Sequence, residues 1–459
     1  MINRRKFLGN ASLTFLASLL GLPGIQLPAS ASARQWKNWS GLLSCHPEAV
    51  MVPESEHELI RLLTSPETGT RHIRPVGYGH SFSPLIPTND ILLSLSRLSG
   101  LVSTESQTSE ATFLAGTRMS DMGMALQDNG QAFINMADID RQSLAGAIST
   151  STHGTGADLG SLSSYVTGLT LVTPDGIRLE CDSKRSPDIF QAARVSLGAL
   201  GVITRIRLKN RETYRLKKTT WGEKTHSVLE RAEELLRTHR HFEMFPMVNS
   251  DMAIVQTIDE TSEALTDIPG PDTEGDETLR KLQEFGGYLP WLRRWLTNSA
   301  IEEMQPMSFV GESWQVLPSA RNMKFNEMEY QIPLAAGPQC LKEILATIEK
   351  ESVDIVFPLE YRYVKGDDVW MSMFNGRDSC SISVHHFADY DHRPYFDLIE
   401  PIFWKYEGRP HWGKIHTLSA KTLQPLYPHW DDFMSIRERL DPGGRMLNKH
   451  LSKLFFTDS

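Results

Sequence analysis

Ten residues from Pro75 to Pro84, PVGYGHSFSP, constrain this chain more than any others. Two glycines stand one residue apart, just before a histidine and a serine, and they follow a strand-like run, Ile73-Arg74-Pro75-Val76. Glycine admits backbone turns closed to other residues, so successive amide N–H groups in such a loop can face one concavity and hold a pyrophosphate. No Asp or Glu interrupts the loop, as an anion site requires. This is not the dinucleotide fingerprint of a Rossmann unit, because the third glycine and the helix after it are missing.

Two further stretches fit the same purpose. Ile139 to Gly156 (IDRQSLAGAISTSTHGTG) crowds small residues at Ala145, Gly146, Ala147, Gly154 and Gly156, which suits backbone packed against a flat ring. Ser149, Thr150, Ser151, Thr152 and His153 there supply hydrogen-bond donors without adding charge. Leu197 to Thr204 (LGALGVIT) reads as a turn into a strand that runs from Val202 to Leu208.

Around these motifs short strands and helices alternate. Ser55 with Glu58 forms a capping-box signal for a helix through Leu63. Phe113 to Gly116 is strand-like and precedes a helix from Asp121 to Asn129, and Gly168 to Cys181 reads as a β-hairpin about Pro174-Asp175-Gly176. Ser186-Pro187-Asp188 opens another helix. Later, an amphipathic helix is expected from Thr225 to Arg237, and residues 259–280, acidic and rich in Pro, Gly and Thr, are expected to be an exposed insertion with little fixed structure. Met328 to Pro333, Val353 to Val364 and Ser381 to Phe387 read as sheet strands, and a helix from Trp430 ends at Asp441-Pro442-Gly443-Gly444.

The late strands and loops carry reactive side chains. Glu360 and Arg362 are two residues apart in a strand, so both face one side. A carboxylate beside a guanidinium can orient hydroxyl groups and hold developing negative charge. His411-Trp412-Gly413-Lys414-Ile415-His416 places a lysine among aromatic groups, where lost solvation lowers its pKa. No carboxylate or thiol falls at metal-ligand spacing from the paired His385 and His386, so no metal site is expected.

PVGYGHSFSP resembles the pyrophosphate loop of the vanillyl-alcohol oxidase superfamily, and within it the aldonolactone oxidase group, which includes gulonolactone, D-arabinono-1,4-lactone and alditol oxidases. The resemblance implies an α+β, two-domain PCMH-type FAD-binding fold whose substrate (cap) domain is built on an antiparallel sheet. It implies FAD as cofactor, joined covalently through its 8α-methyl carbon to His80. The cofactor-binding residues would be Val76, Gly77, Tyr78, Gly79, Ser81, Phe82, Ala137, Ser143, Gly146, Ser149, Thr150, Thr152, His153, Gly154, Gly156, Gly201, Val202, Ile203 and Lys414. Glu360, Arg362, His385 and Lys414 would be catalytic, with His385 preferred over His386 as the pocket-facing ring.

The implied reaction moves the hydrogen of a carbinol carbon to the flavin as hydride, while the hydroxyl proton leaves to a base among Lys414, Glu360 and His385. A sugar lactone such as an aldono-1,4-lactone is the leading substrate; a polyol, as in alditol oxidases, and a non-catalytic flavin- or sugar-binding protein are the alternatives. Ala137 sits where many oxidases of the group carry glycine or proline, which points to poor use of oxygen and to another electron acceptor.

The amino terminus suggests where this chemistry takes place. Arg4-Arg5 before Lys6-Phe7-Leu8, an apolar run from Ala11 to Leu20 and Ala31-Ser32-Ala33 resemble a twin-arginine export signal, so a periplasmic protein cleaved after residue 33 is expected. Cleavage would leave 426 residues and, by removing three positive charges, take the formal charge from −9 to −12. That acidic balance argues against nucleic-acid binding, and no segment is long enough to span a membrane. A chain of this length divides into an FAD-binding domain over 34–212, a cap domain over 213–410 and a returning segment over 411–459. Four scattered cysteines without a CxxC pair are expected to stay free thiols.

Overall fold

The structure, a computed structural model, describes residues 35–270, 273–286, 289–319 and 321–456; the expected export signal over 1–33 lies outside them. After a short antiparallel pairing of Trp36–Lys37 with Ser44–Cys45, the chain lays down a parallel trio, β1 (Ala49–Met51), β2 (Ile73–Val76) and β3 (Ile91–Ser94), in the order β1-β3-β2. Helix α1 (Glu56–Leu63) joins β1 to β2, burying Leu59 and Leu63. Ser55 Oγ accepts the Glu58 N–H at 3.1 Å, a cap worth about 1 kcal/mol, while the Glu58 carboxylate reaches back to the N–H of Glu54 at 2.8 Å.

A five-stranded antiparallel sheet follows, from β4 (Leu101–Glu105), β5 (Glu110–Leu114), β6 (Val166–Val172), β7 (Arg178–Asp182) and β8 (Val202–Lys209), in the order β7-β6-β8-β5-β4. The hairpin expected about Pro174-Asp175-Gly176 is β6–β7. Helices α2 (Met119–Gln127), α3 (Leu144–Ser149) and α4 (Pro187–Ala193) pack their apolar residues into the core of this half. Trp412, Phe433, Leu451 and Phe455 from the far end of the chain join the same core.

The second half is one eight-stranded sheet. Its strands are β9 (Arg215–Lys224), β10 (His241–Pro246), β11 (Met252–Thr261), β12 (Met307–Glu312), β13 (Phe325–Pro333), β14 (Glu360–Val364), β15 (Ser379–Phe387) and β16 (Arg409–Pro410). They run β12-β9-β11-β10-β14-β15-β13-β16, every pair antiparallel. The central strands are buried on both faces, but the faces differ. Tyr361, Tyr363, Ile382, Val384, Met328 and Tyr330 form an apolar face in the second core, together with residues of α9 (Gly337–Lys350) and α10 (Arg393–Lys405).

Register decides the other face. Glu360 stands opposite Ser383 and Arg362 opposite Ser381; Glu327 stands opposite His385 and Glu329 opposite Ser383; Glu243 pairs with Arg362. With a side-chain period of two, all of these point to one side.

Three expectations need correction. The helix from Thr225 is two, α5 (Thr225–Glu230) and α6 (Ala232–Thr238), because Arg231 leaves helical geometry at φ −103°, ψ 6° and its guanidinium bonds Glu223 at 2.8 and 2.9 Å. The strand expected from Val353 starts only at Glu360. Pro358 has no N–H for a ladder, and the preceding backbone is held by side chains: Asn249 Nδ2 donates to the carbonyls of Val353 and Ile355, and Gln283 Nε2 to that of Asp354.

The acidic stretch over 259–280 is also more ordered than expected. Its start completes β11, and its end lies in α7 (Thr273–Gly286), which sets Leu279 and Leu282 against the second core and pairs Arg280 with Asp389 at 2.8 Å. A second helix, α8 (Pro290–Glu302), follows. The helix from Trp430 is α11 (Trp430–Leu440), and the tail after it folds as α12 (Lys449–Phe455). All four cysteines are free and buried, and burial pushes the Cys181 and Cys340 thiols up to about 12. No helix among the described residues is long and apolar enough to cross a membrane.

Candidate active site

A cavity of about 560 Å³ lies between the glycine loop and the polar face of the large sheet. The loop leaves β2 at Val76. Gly79 takes φ +71°, and Gly77 passes so close to α3 that a Cβ on it would stand 2.2 Å from Ser143 Oγ. The far end of the chain holds the loop from outside. Phe82 N–H donates to the carbonyl of Gly413 at 2.7 Å, and Ser83 Oγ to that of Trp412 at 2.5 Å, so the first and last motifs meet.

His80 stacks on Trp39 with ring centroids 5.9 Å apart. Burial, reinforced by the charges of Lys414, Arg118 and Arg141, pulls its pKa down to about 4. The ring is therefore neutral at ordinary pH, with a nitrogen lone pair available.

Val76, Gly77, Tyr78, Gly79, His80, Ser81 and Phe82 all line the cavity, as do Ala137, Ser143, Gly146, Ser149, Thr150, Thr152, His153, Gly201 and Ile203. Three expected cofactor residues do not. Gly154 is pressed against the carbonyl of Met136, where a Cβ would stand 2.1 Å away; Gly156 donates its N–H to Tyr363 O; and Val202 pairs with Val172 inside the five-stranded sheet. They shape the wall from behind.

On the sheet side Glu360, Arg362, His385 and Lys414 line the cavity together; His386 points to the other face, against Tyr390 and Tyr395. Arg362 Nη2 lies 3.1 Å from Glu360 and 2.9 Å from Glu329. Burial opposes the Arg362 charge, but these two carboxylates outweigh it and raise its pKa. Burial raises that of Glu360. Two atoms here, Glu360 Oε1 and Arg362 Nε, are buried without a partner among the described residues.

Lys414 does not stand among aromatic rings alone. Its ammonium pairs with Glu327 and lies 5.1 Å from the centre of the Phe82 ring. Burial works against the Glu327 charge, yet Lys414 and His385 hold its carboxyl far below the usual range. His385 Nδ1 donates to the Pro358 carbonyl at 3.2 Å, and Nε2 faces Glu327 at 3.6 Å.

Glu327 and Glu329 are the residues that sequence reasoning missed. The signal is present: in β13 the run Asn-Glu-Met-Glu-Tyr-Gln sets Glu327, Glu329 and Gln331 on one face and Met328 and Tyr330 on the other. Carboxylates alternating with large apolar residues in a buried strand demand partners, and here these are the cations of Lys414 and Arg362 and the ring of His153. Asp138, beside Ala137, is anchored similarly by Arg321 and by Ser319 Oγ at 2.7 Å.

The cavity thus has two chemistries. Its glycine-loop end offers backbone amides, hydroxyls and a neutral imidazole with no carboxylate in the loop, a donor set that suits a dinucleotide with a diphosphate. Its sheet end is a cluster of paired charges that suits a polar substrate. Fold and cavity together define an FAD-dependent oxidoreductase of the PCMH type.

The comparisons agree. Residues 47–182 match the model of an FAD binding domain, and residues 206–454 match that of D-arabinono-1,4-lactone oxidase, so the chain belongs to this family. It is 33% identical over 428 residues to L-gulono-1,4-lactone dehydrogenase of Mycobacterium tuberculosis, covering 91% of this chain and 98% of that protein. It is 28% identical to L-gulonolactone oxidase of Mus musculus, covering 92% and 98%. Among solved structures, a cholesterol oxidase variant from Brevibacterium sterolicum superposes with a TM-score of 0.75 at 15% identity, covering 92% of this chain and 96% of that one, a likeness of fold.

Proposed function

We propose that this protein oxidises a carbinol carbon of a sugar-derived 1,4-lactone, with FAD bonded to His80. The observation that carries the reading is the pair of unpartnered buried atoms, Glu360 Oε1 and Arg362 Nε, on one strand beside His385. A hydroxyl group donates to the first and accepts from the second, which is how a polyhydroxylated ring is gripped. When bound, FAD supplies the two-electron acceptor that receives the hydride.

The chain's own groups handle the proton. With Nδ1–H committed to the Pro358 carbonyl, His385 presents the Nε2 lone pair and is the base. Glu327, 3.6 Å away, stabilises the imidazolium as it forms. Lys414, held by Glu327, keeps an ammonium between Phe82 and the sheet, a fixed positive charge at the junction of the two ends of the cavity. The neutral His80 ring is the form able to bond to carbon.

Ala137 places a methyl group in the cavity wall, and this favours an electron acceptor other than oxygen. Export to the periplasm is part of the reading. The Arg4-Arg5 leader supports it, and four buried free thiols suit a chain folded before transport.

The test is denaturing electrophoresis of the purified protein followed by acid-enhanced fluorescence, together with anaerobic addition of L-gulono-1,4-lactone, D-arabinono-1,4-lactone or xylitol. A fluorescent band that is lost in His80→Ala, and a yellow colour bleached by a lactone faster than by xylitol, are expected. A folded, colourless protein that takes up no FAD would end the reading, and recovery of the chain in the cytosolic fraction with its leader intact would end the export part.

A further inference from the structure

We infer that His153 is a buried imidazolium, and that Glu329 is the positioning residue that holds it charged and ties it to Arg362 across the cavity. The hydrogen-bond partners of the ring set its charge. His153 Nδ1 lies 2.8 Å from the carbonyl oxygen of Gly154, and Nε2 lies 2.7 Å from Glu329 Oε1. Both neighbours are acceptors, and a neutral imidazole has only one N–H. The ring therefore carries two, and with them a positive charge, where the residue type alone reads as a neutral donor.

Glu329 is equipped for this role. Its Oε1 also accepts from Gln331 Nε2 at 2.6 Å, and its Oε2 accepts from Arg362 Nη2 at 2.9 Å and Ser383 Oγ at 3.0 Å. Four donors saturate a carboxylate that is 1% exposed, so it stays ionised despite burial. His411 provides the contrast. Its ring centre is 5.9 Å from that of His153, but its Nδ1 accepts the Gly413 N–H at 2.9 Å, which leaves that nitrogen unprotonated and the ring neutral. Two neighbouring histidines are thus set in opposite charge states by what faces their nitrogens.

The imidazolium puts a positive charge in the glycine-rich wall where it meets the sheet, tied through Glu329 to Arg362, which Glu360 also pairs. Such a charge favours an anionic form of the ring system bound there. This last consequence rests on the flavin reading above; the charge state of His153 does not.

Glu329→Gln separates the roles with little change in shape. The amide keeps its oxygen on Arg362 and Ser383 and turns its NH2 to His153 Nε2, which must then be a lone pair, so the imidazolium becomes a neutral ring. The experiment is nitrogen NMR of [15N]histidine-labelled protein, with His153→Asn to assign the signal, and sulfite titration of the yellow protein. Two protonated ring nitrogens at His153 in the wild type, a neutral ring in Glu329→Gln, and sulfite bound about tenfold more weakly by His153→Asn, which loses the cation while the Glu329 carboxylate stays, are expected. A neutral His153 in the wild type overturns the inference even if Glu329→Gln does not fold. So does a divalent cation found by elemental analysis between His153, Glu329 and His411, whose ligand atoms lie within 4.8 Å of one another. Unchanged sulfite affinity in His153→Asn removes the electrostatic role alone. A protein without FAD leaves the NMR result standing and fails the flavin reading instead.

Discussion

Ala137 shows how much a single methyl group can decide. It is 3% exposed and lines the cavity, and it cannot retreat: its neighbour Asp138 is tied to Arg321 and Ser319, and Met136 N–H donates to Asn135 Oδ1 at 2.9 Å. Ala137→Gly is therefore expected to open the wall and not to shift it, raising the rate of reoxidation by oxygen about tenfold or more in stopped-flow measurements on reduced enzyme. Fast reoxidation by the wild type, unaltered in the variant, would remove Ala137 as the barrier. Residues of this kind are legible from motif spacing, because the motif fixes the stretch of backbone that passes the cavity. Which side chains face inward is not. Gly154, Gly156 and Val202 belong to recognisable motifs and still point away, because contacts with Met136, Tyr363 and Val172, all distant in sequence, turn them.

At the scale of elements, the large sheet is unusual in burying charge on one whole face. Register alone puts Glu243, Glu360, Arg362, Glu327, Glu329 and His385 together, and all but Glu243 have an ion-pair partner in the cluster. Glu243 is the least compensated. Burial, helped by the Asp138 and Glu360 carboxylates and opposed by Lys218, pushes its pKa up to about 7. A raised carboxyl binds its proton more tightly folded than unfolded, where its pKa is about 4.3. Its contribution to stability is then complete below that value and is lost as pH rises through about 7. Glu243→Gln should melt at a higher temperature than the wild type at pH 8, with the two curves converging toward about pH 4.5 in a thermal denaturation series. Parallel curves across the range would rule out this account.

Alternation made Glu360 and Arg362 readable on the same face, and the same period in β13 marks Glu327 and Glu329 once their burial is known. Composition was a poorer guide. Residues 273–280 look like a flexible acidic insertion, yet Leu279 reaches both the second core and the cavity wall, a role set by packing that no local pattern carries. Val353 to Leu359 has strand-like residues but takes its hydrogen bonds from Asn249, Gln283 and Pro246.

For the whole molecule, the question is what keeps a loop near residue 80 in register with a sheet whose strands begin only at Arg215. The answer is the end of the chain. Arg74, fully buried, donates to the carbonyls of Leu85, Leu197, Gly198 and Met446, and burial, only partly opposed by the Asp441 carboxylate, pulls it down to about 9. Arg445 bonds the carbonyls of Leu63, Thr68 and Pro174. Asn448 does two jobs with one side chain. Its Oδ1 caps α12 by accepting from Leu451 N–H at 2.9 Å, and its Nδ2 donates to the carbonyls of Pro84, Leu85 and Pro87, directly after the glycine loop. Asn448→Ala removes a cap worth about 1 kcal/mol and takes the Nδ2 donor from the half-buried carbonyls of Pro84 and Pro87, while that of Leu85 keeps Arg74, at a further cost of about 1 kcal/mol. The melting temperature should fall by several degrees. Because those carbonyls adjoin the loop bearing His80, the fraction of chains carrying flavin, read from the visible-to-ultraviolet absorbance ratio, should fall as well. A variant that melts earlier while keeping full flavin occupancy would mean that the carboxyl-terminal helix stabilises the fold without setting the loop, and that the loop's shape is dictated by Gly77, Gly79 and Ser143 alone.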